Sequence, residues 1–222
     1  VLTSFSNEVQ SIDPHLNYWG EKPLNKGINF VGYSNSSSLF GALKSKQIDV
    51  LLSNSIDDSQ RNNLNFLSKN KEIKEGNSPA TEISFISLRT NSYPLNNRNV
   101  RLALAKSINR DLISDKVSYG LRLPSRTIVP PILKKNNQEL WPKYDPIKAK
   151  VLLKKEGFCN GNILDLPLTY RSNVPADKLI AISWQEDIKT NFNDCINIEL
   201  NGVESTTIYK NLNLGIYTAV IL

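Results

Sequence analysis

Residues 163–200 read ILDLPLTYRSNVPADKLIAISWQEDIKTNFNDCINIEL. Apolar and strand-favouring residues dominate residues 163–170 and again residues 195–200, which predicts two strands. Residues 175–192 between them offer an apolar side typical of a helix, formed by Leu179, Ile182, Trp184 and Ile188. A strand, a helix and a second strand in this order favour a right-handed parallel crossover.

The same alternation continues on both sides of this stretch. Residues 204–212 are predicted as a helix and residues 216–222 as a strand. On the amino-terminal side, residues 146–156 form a helix that Gly157 closes in the C′ position. The resulting βαβαβ order predicts an α/β fold with a largely parallel sheet, covered by helices on both faces.

An apolar run over residues 83–88 breaks off at Arg89, Thr90 and Asn91. It predicts a strand that leads into a turn rich in Asn and Pro. A helix is expected over residues 98–107, and Asn109 can cap the helix that follows. The proline-rich stretch at 119–146 is expected to be an irregular arm.

The amino-terminal third predicts a second βαβ unit. Residues 27–35 are expected to form a strand, residues 36–47 a helix with Ser36 or Ser37 as its N-cap, and residues 48–53 a buried strand. A helix over residues 57–70 and a polar connection over residues 71–82 follow. We expect two lobes with a joint near residues 76–92.

Cys159 and Cys195 are the two cysteines of the chain, and each lies where a predicted strand begins. Neighbouring strands are about 4.8 Å apart, close to the Cα separation that a disulfide tolerates. If one crossover joins the two strands, a disulfide is expected, and it would indicate an oxidising compartment. Two buried free thiols are the alternative.

Composition excludes several classes of function. The 222 residues are 40% hydrophobic and 22% charged, as in ordinary globular proteins, and no apolar run is long enough to cross a membrane. The net charge of +6 is scattered, which favours a solvated surface over binding to nucleic acid. The chain contains no Met and stops within an apolar run, GIYTAVIL, so we expect it to be part of a longer protein.

The sequence shows no recognisable catalytic or metal-binding pattern. Asp57-Asp58 and Glu186-Asp187 are paired carboxylates within predicted helices, where consecutive residues do not face each other. His15 is the only histidine, and with two cysteines it does not suggest a metal site. We therefore expect neither an enzyme nor a bound cofactor.

Several segments, taken together, resemble the solute-binding proteins of ABC importers, in the class that binds peptides and nickel. The resemblance covers nearly the whole chain in order. It rests on the segments HLNYWGEKPLNKGINFVGY, SLFGALKSKQIDV, FISLRTNSYPLNNRNVRLALAKSINRDLI, YDPIKAKVLLKKEGF and the strand, helix and strand of residues 163–200. Intact members of this class are roughly twice as long.

The resemblance implies a periplasmic-binding-protein-like fold of type II. Residues 1–82 would be part of lobe I and residues 83–222 most of lobe II, comparable with domain 3 of peptide-binding proteins. It further implies a periplasmic or cell-surface lipoprotein, a monomer that captures a small solute, a di- or oligopeptide, and passes it to a membrane permease. A cytoplasmic solute sensor of the same fold, fused to a DNA-binding module, is the alternative; an enzyme is the third hypothesis.

The resemblance also suggests two groups of ligand-binding residues. Arg89, Thr90 and Asn91 would emerge at the cleft where the strand of residues 83–88 crosses between lobes; an ordinary turn after the strand is the alternative. Arg171, Ser172 and Asn173 follow a parallel strand, the position at which open α/β sheets bind ligands. Arg171 could anchor a peptide carboxylate through its two-pronged guanidinium group, and a simple surface loop is the alternative.

Overall fold

The computed structural model describes residues 1–52, 55–76, 82–133 and 140–222. The chain divides into two compact units, Val1–Ile56 and Asp57–Leu222. The lobe boundary predicted at 82/83 and the joint near residues 76–92 concern the complete protein and stay predictions, and residues 77–81 of that joint lie outside the described residues.

Over the described residues 1–52, the first unit contains a three-stranded antiparallel sheet and one α-helix. The three strands pair in chain order, the first with the second and the second with the third. A tight turn joins the first two, in which the Ser6 hydroxyl accepts from the amides of Glu8 and Val9. The elements are β1 (Leu2–Phe5), β2 (Val9–Ile12), β3 (Ile28–Val31) and α1 (Ser36–Lys44).

The βαβ unit predicted for this region is wrong. Residues 48–52 form no strand, with Val50 77% and Leu52 71% exposed, and Ser53 lies outside the described residues. β3 instead pairs antiparallel with β2. An antiparallel pair needs no long crossover connection, whereas the predicted parallel pair would need one. Asn35 caps α1 in place of the predicted serines, accepting from the amide of Ser38 at 2.8 Å.

The second unit is an α/β body built on a four-stranded sheet. Its helices and strands follow the order predicted from the sequence. They are α2 (Asp58–Lys69), β4 (Ile86–Leu88), α3 (Arg98–Lys106), α4 (Arg110–Ser118), α5 (Pro146–Lys155), β5 (Leu164–Arg171), α6 (Pro175–Asn191), β6 (Ile196–Val203), α7 (Ser205–Asn211) and β7 (Ala219–Ile221). Short 3-10 turns occupy Pro131–Leu133 and Leu212–Leu214.

The sheet of the second unit is mixed, with the strand order β4-β7-β5-β6. β5 pairs in parallel with β6 along its whole length, from Leu164 opposite Ile196 to Arg171 opposite Val203. β7 lies parallel on the other side of β5, whereas β4 runs antiparallel to β7. The α/β class with a largely parallel sheet is therefore confirmed, with one antiparallel edge strand.

Local signals in the sequence fix the ends of these helices. Asn109 accepts from the amide of Leu112 at 3.0 Å, which confirms the predicted cap of α4. Asp57 and Gln60 form a capping box at the start of α2. Gly157 follows α5 with φ of +88°, a conformation that glycine adopts without steric cost.

A buried apolar core joins the helices to the sheet. α3 packs on α5, α4 on α6, and α6 on β5 and β6. Trp184 is buried at its centre, and its indole N–H donates to the hydroxyl of the equally buried Ser107 at 3.1 Å. Large side chains buried with it include Leu104, Leu153, Leu164, Leu166, Leu168, Ile188 and Phe192.

The predicted disulfide between Cys159 and Cys195 is present. The two Cα atoms are 3.9 Å apart, and the bridge spans 36 residues. Both residues are buried, at 1% and 0% exposure. The bridge ties the loop before β5 to the residue before β6, so it holds together the amino ends of the two central parallel strands.

The stretch predicted as an irregular arm has no helix or strand between residues 121 and 130 or between residues 140 and 145, and residues 134–139 lie outside the described residues. Arg122 fixes this arm to α2, because its Nε donates to both carboxylate oxygens of the buried Asp58. None of the helices in the described ranges combines the length and the apolar character needed to cross a membrane.

Candidate ligand-binding site

The carboxyl end of β5 carries one of the two predicted groups, Arg171, Ser172 and Asn173. Arg171 is the last residue of β5 and lies opposite Val203, the last residue of β6. The chain then turns into α6 at Pro175, and the N-cap position of α6 has no side-chain hydrogen bond. Ends of parallel strands and free helix amides are the features that receive anionic or polar ligand groups in open α/β sheets.

Arg171 is held by a carboxylate of its own chain. Its Nε donates to Asp177 Oδ2 at 2.6 Å and its Nη2 donates to Oδ1 at 3.1 Å, so one edge of the guanidinium group is paired in a bidentate arrangement. These hydrogen bonds raise the pKa of Arg171 further, against the opposing effect of burial. Nη1 donates to the hydroxyl of Tyr209 at 3.3 Å.

The two residues after Arg171 differ in their roles. The Ser172 amide donates to the Val203 carbonyl at 2.9 Å, while its side chain is exposed. Asn173 Oδ1 accepts from both the amide and the hydroxyl of Ser205, at 3.1 and 2.6 Å. Asn173 therefore caps α7 from the neighbouring loop, since Glu204 at the N-cap position makes no side-chain cap.

The other predicted group, Arg89, Thr90 and Asn91, lies at the end of β4. The Arg89 amide donates to the Thr218 carbonyl at 3.0 Å, next to the start of β7. Its side chain donates from Nε to Ser92 Oγ at 2.9 Å and from Nη1 to the Gly215 carbonyl. Arg89 thus joins the turn after β4 to the turn before β7, while Thr90 and Asn91 are exposed in that turn.

The structure does not bring the two groups together. Arg89 is level with Thr218, and the β5–β7 register places Arg171 level with Leu222, four residues further along β7. At about 3.3 Å per residue this is roughly 13 Å along the strands. The direction of β4, antiparallel to the other three strands, is the cause, and it could not be read from the sequence of β4 alone.

Two residues at the carboxyl end of β5 were missed in the sequence. Asp177 is six positions after Arg171, in the first turn of α6. An acidic residue is common at this position of a helix, so its presence did not indicate a ligand site. Tyr209 lies on α7, 38 positions from Arg171, and carried no signal that linked it to this end of the sheet.

A separate groove of about 340 Å³ lies at the opposite, amino end of β5 and β6. It is open and is lined by both apolar and polar side chains. Within it, Asn197 donates to Asp165 at 2.9 Å. Among the described residues, no three His, Cys, Asp or Glu side chains are grouped so that they could hold a metal ion.

Comparison with known proteins identifies the family. The family model of bacterial extracellular solute-binding proteins, family 5, matches residues 1–221. The chain belongs to this family of extracellular solute-binding proteins. The resemblance found in the sequence is thereby confirmed.

Curated relatives agree on the family and differ in the ligands they are named for. The nickel-binding periplasmic protein of Escherichia coli K12 is 30% identical over 208 residues, which are 87% of this chain and 38% of that protein. The dipeptide-binding protein of the same strain is 28% identical over 150 residues, or 67% of this chain and 27% of that protein. The chain thus spans well under half the length of these relatives.

Solved structures show the same fold. NikA from Brucella suis, in complex with Fe(III)-EDTA, matches 100% of this chain and 46% of its own with a TM-score of 0.80 at 20% identity. The murein tripeptide binding protein MppA of Escherichia coli matches 100% of this chain and 44% of its own with a TM-score of 0.76 at 22% identity. The predicted type II periplasmic-binding-protein fold is confirmed.

Proposed function

We propose that this chain is part of the extracytoplasmic solute-binding component of an ABC importer. The complete protein captures a small solute, a di- or oligopeptide, in a cleft and delivers it to a permease in the membrane. Membership of the solute-binding family supports the importer role. The observation that carries the choice of ligand is the position of Arg171 at the carboxyl end of β5, beside the start of α6.

The chemistry of this end of the sheet favours a ligand with a carboxylate. A guanidinium group offers parallel N–H donors that match the two oxygens of a peptide carboxyl terminus. Ser172 presents an exposed hydroxyl next to it, and Asn173 Nδ2 offers further donors. Relatives named for dipeptide, glutathione and murein tripeptide make a peptide the preferred class of solute.

The disulfide supports an extracytoplasmic location. Bridges that persist are usual in the periplasm and at cell surfaces and rare in the cytosol. Cys159–Cys195 is buried in the core, as expected of a structural bridge. The proposal of a periplasmic or cell-surface lipoprotein is therefore preferred to the alternative of a cytoplasmic sensor.

Of the two predicted groups, we assign ligand binding to Arg171, Ser172 and Asn173. Arg89 is committed to the turns at the other end of the sheet by its bonds to Ser92 and Gly215. A ligand contact of Arg89, Thr90 or Asn91 at that end of the sheet stays a prediction.

Calorimetry on the complete protein tests the proposal. A panel of di- to tetrapeptides is titrated into the wild type, and the best ligand is then titrated into Arg171→Ala and Arg89→Ala. The second variant is a matched control, since it removes the same side chain at the other end of the sheet. We expect Arg171→Ala to weaken binding about 10- to 100-fold, the value of charge-assisted hydrogen bonds, and Arg89→Ala to leave it unchanged. Equal affinity of Arg171→Ala and wild type would remove Arg171 from the site.

A further inference from the structure

We propose that Asp177 positions Arg171 for a single ligand carboxylate and that Tyr209 is the second side chain that contacts this carboxylate. These roles of Asp177 and Tyr209 rest on the proposed function. They depend on how the edges of one guanidinium group are divided between partners.

The side-on edge of Arg171 is already occupied. This edge consists of Nε and Nη2, and both donate to the carboxylate of Asp177 at 2.6 and 3.1 Å. The end-on edge consists of Nη1 and Nη2. Because a guanidinium group has five N–H donors and three are used by Asp177 and Tyr209, one donor remains on each of these two nitrogens.

Asp177 is placed to hold the guanidinium group in one orientation. Its side chain is only 3% exposed, compared with 19% for Arg171. It belongs to the first turn of α6, where the helix dipole favours a negative charge, and its amide donates to the Val174 carbonyl. A buried carboxylate fixed to a helix leaves Arg171 little rotational freedom before any ligand arrives.

Tyr209 stands beside the remaining edge. Its hydroxyl oxygen is 3.3 Å from Nη1 and accepts the hydrogen bond from it. Among the described residues Tyr209 donates to no acceptor, and the residue is 53% exposed. The hydroxyl hydrogen is therefore available to a carboxylate that accepts from the end-on edge of Arg171.

The division of edges defines the class of ligand. The charge of Arg171 is balanced by Asp177, so one added carboxylate finds two or three hydrogen bonds without a large excess of positive charge. A group with several negative charges would meet the carboxylate of Asp177 across the same guanidinium group. We infer a solute with one carboxylate at this subsite, as at the end of a peptide.

The test compares peptide acids with their amides. Di-, tri- and tetraalanine and their carboxamides are titrated calorimetrically into the complete protein. The measured quantity is the ratio of the Kd values of amide and acid for the best-bound length. The variants are Tyr209→Phe and Asp177→Ala, with Tyr217→Phe as a control for loss of a tyrosine hydroxyl that bonds weakly to the Thr207 carbonyl.

We expect the wild type to prefer the acid by at least about 10-fold. Tyr209→Phe should reduce this ratio about 3- to 10-fold, by the loss of one hydrogen bond, and leave the affinity for the amide unchanged. Asp177→Ala should reduce the ratio by about 2- to 10-fold, because Arg171 must then be ordered on binding. Tyr217→Phe should behave as wild type.

Other results overturn the inference. A ratio that Tyr209→Phe leaves unchanged removes Tyr209 from the subsite, whether or not Asp177→Ala folds. A ratio that rises in Asp177→Ala shows that Asp177 competes with the ligand and does not position Arg171. If peptide acids and their carboxamides bind equally well, the carboxylate subsite falls but the solute-binding function stands; if neither binds, both fall.

Discussion

Phe85 and Leu222 exchange both backbone hydrogen bonds, each amide donating to the carbonyl of the other at 3.0 Å. This pair places the residue before β4 beside the residue after β7. Because β7 is parallel to β5, Arg171 lies at the same end of the sheet, whereas Arg89 lies at the other end. The relationship between Phe85 and Leu222 thus decides which of the predicted ligand residues can share a site.

Removal of the Cys159–Cys195 disulfide should destabilise the protein. The bridge spans 36 residues, and closing a loop of this size in the unfolded chain is worth on the order of 3–4 kcal/mol. We expect Cys159→Ala/Cys195→Ala to lower the free energy of unfolding in urea by up to this amount. The control is wild type whose disulfide has been reduced in the unfolded state, with its unfolding midpoint measured in the same way. An unchanged midpoint in both samples would argue against a stabilising bridge.

Removing Arg122 alone should lower the free energy of unfolding more than replacing both Arg122 and Asp58. Arg122 is 41% exposed, whereas the Asp58 side chain is 1% exposed. Arg122→Ala strands a buried carboxylate, so we expect a loss of about 2 kcal/mol. The double variant Asp58→Asn/Arg122→Ala should lose less than the single variant, because no buried charge remains without a partner. A double-mutant cycle by urea unfolding measures this difference, and additive losses would contradict the argument.

Tyr144 should make stability depend on pH in the alkaline range. Burial above all, and then the charge of Asp187 and the hydrogen bond to it, raise the pKa of Tyr144 to about 12. In the unfolded chain a tyrosine ionises near pH 10. Between these values the unfolded state has lost the proton and the folded state retains it, so this contribution to stability is complete below about pH 10 and is lost as the pH rises to about 12.

The comparison of wild type with Tyr144→Phe isolates this effect. Urea unfolding between pH 9 and 12 should show a steeper loss of stability for the wild type than for the variant. Absorbance of tyrosinate at high pH should lack its last ionisation step in folded Tyr144→Phe. Parallel stability curves for the two proteins would contradict the assigned pKa.

Asn173 should contribute to stability through α7. Its side-chain oxygen accepts two hydrogen bonds from Ser205. We expect Asn173→Ala to cost about 1 kcal/mol, typical of a lost helix cap. Ser172→Ala serves as the neighbouring control and should remain within about 0.5 kcal/mol of wild type, since its side chain is exposed. Equal stabilities of the two variants would show that Asn173 does not act as a cap.

Local signals predicted much of the second unit. The strand of residues 163–170 appears as Leu164–Arg171 and the helix of residues 175–192 as Pro175–Asn191. Asn109 and Gly157 marked helix ends correctly, because side-chain capping and positive φ depend on a few neighbouring residues. The first unit was predicted poorly, since the short strands β1 and β2 carry little periodicity and the apolar Val50 and Leu52 are exposed.

The sequence by itself determined the α/β class, the order of elements after residue 57 and the family, whereas it left the disulfide open against two free thiols. These depend on periodicity, caps and short motifs that are written in consecutive residues. Only the tertiary structure decided that Arg171 meets Asp177 and Tyr209, and that Arg89 lies away from them. The physical reason is that strand direction and neighbour order are set by hydrogen bonds between segments far apart in the chain, and a strand's own sequence does not specify which neighbour it will pair with.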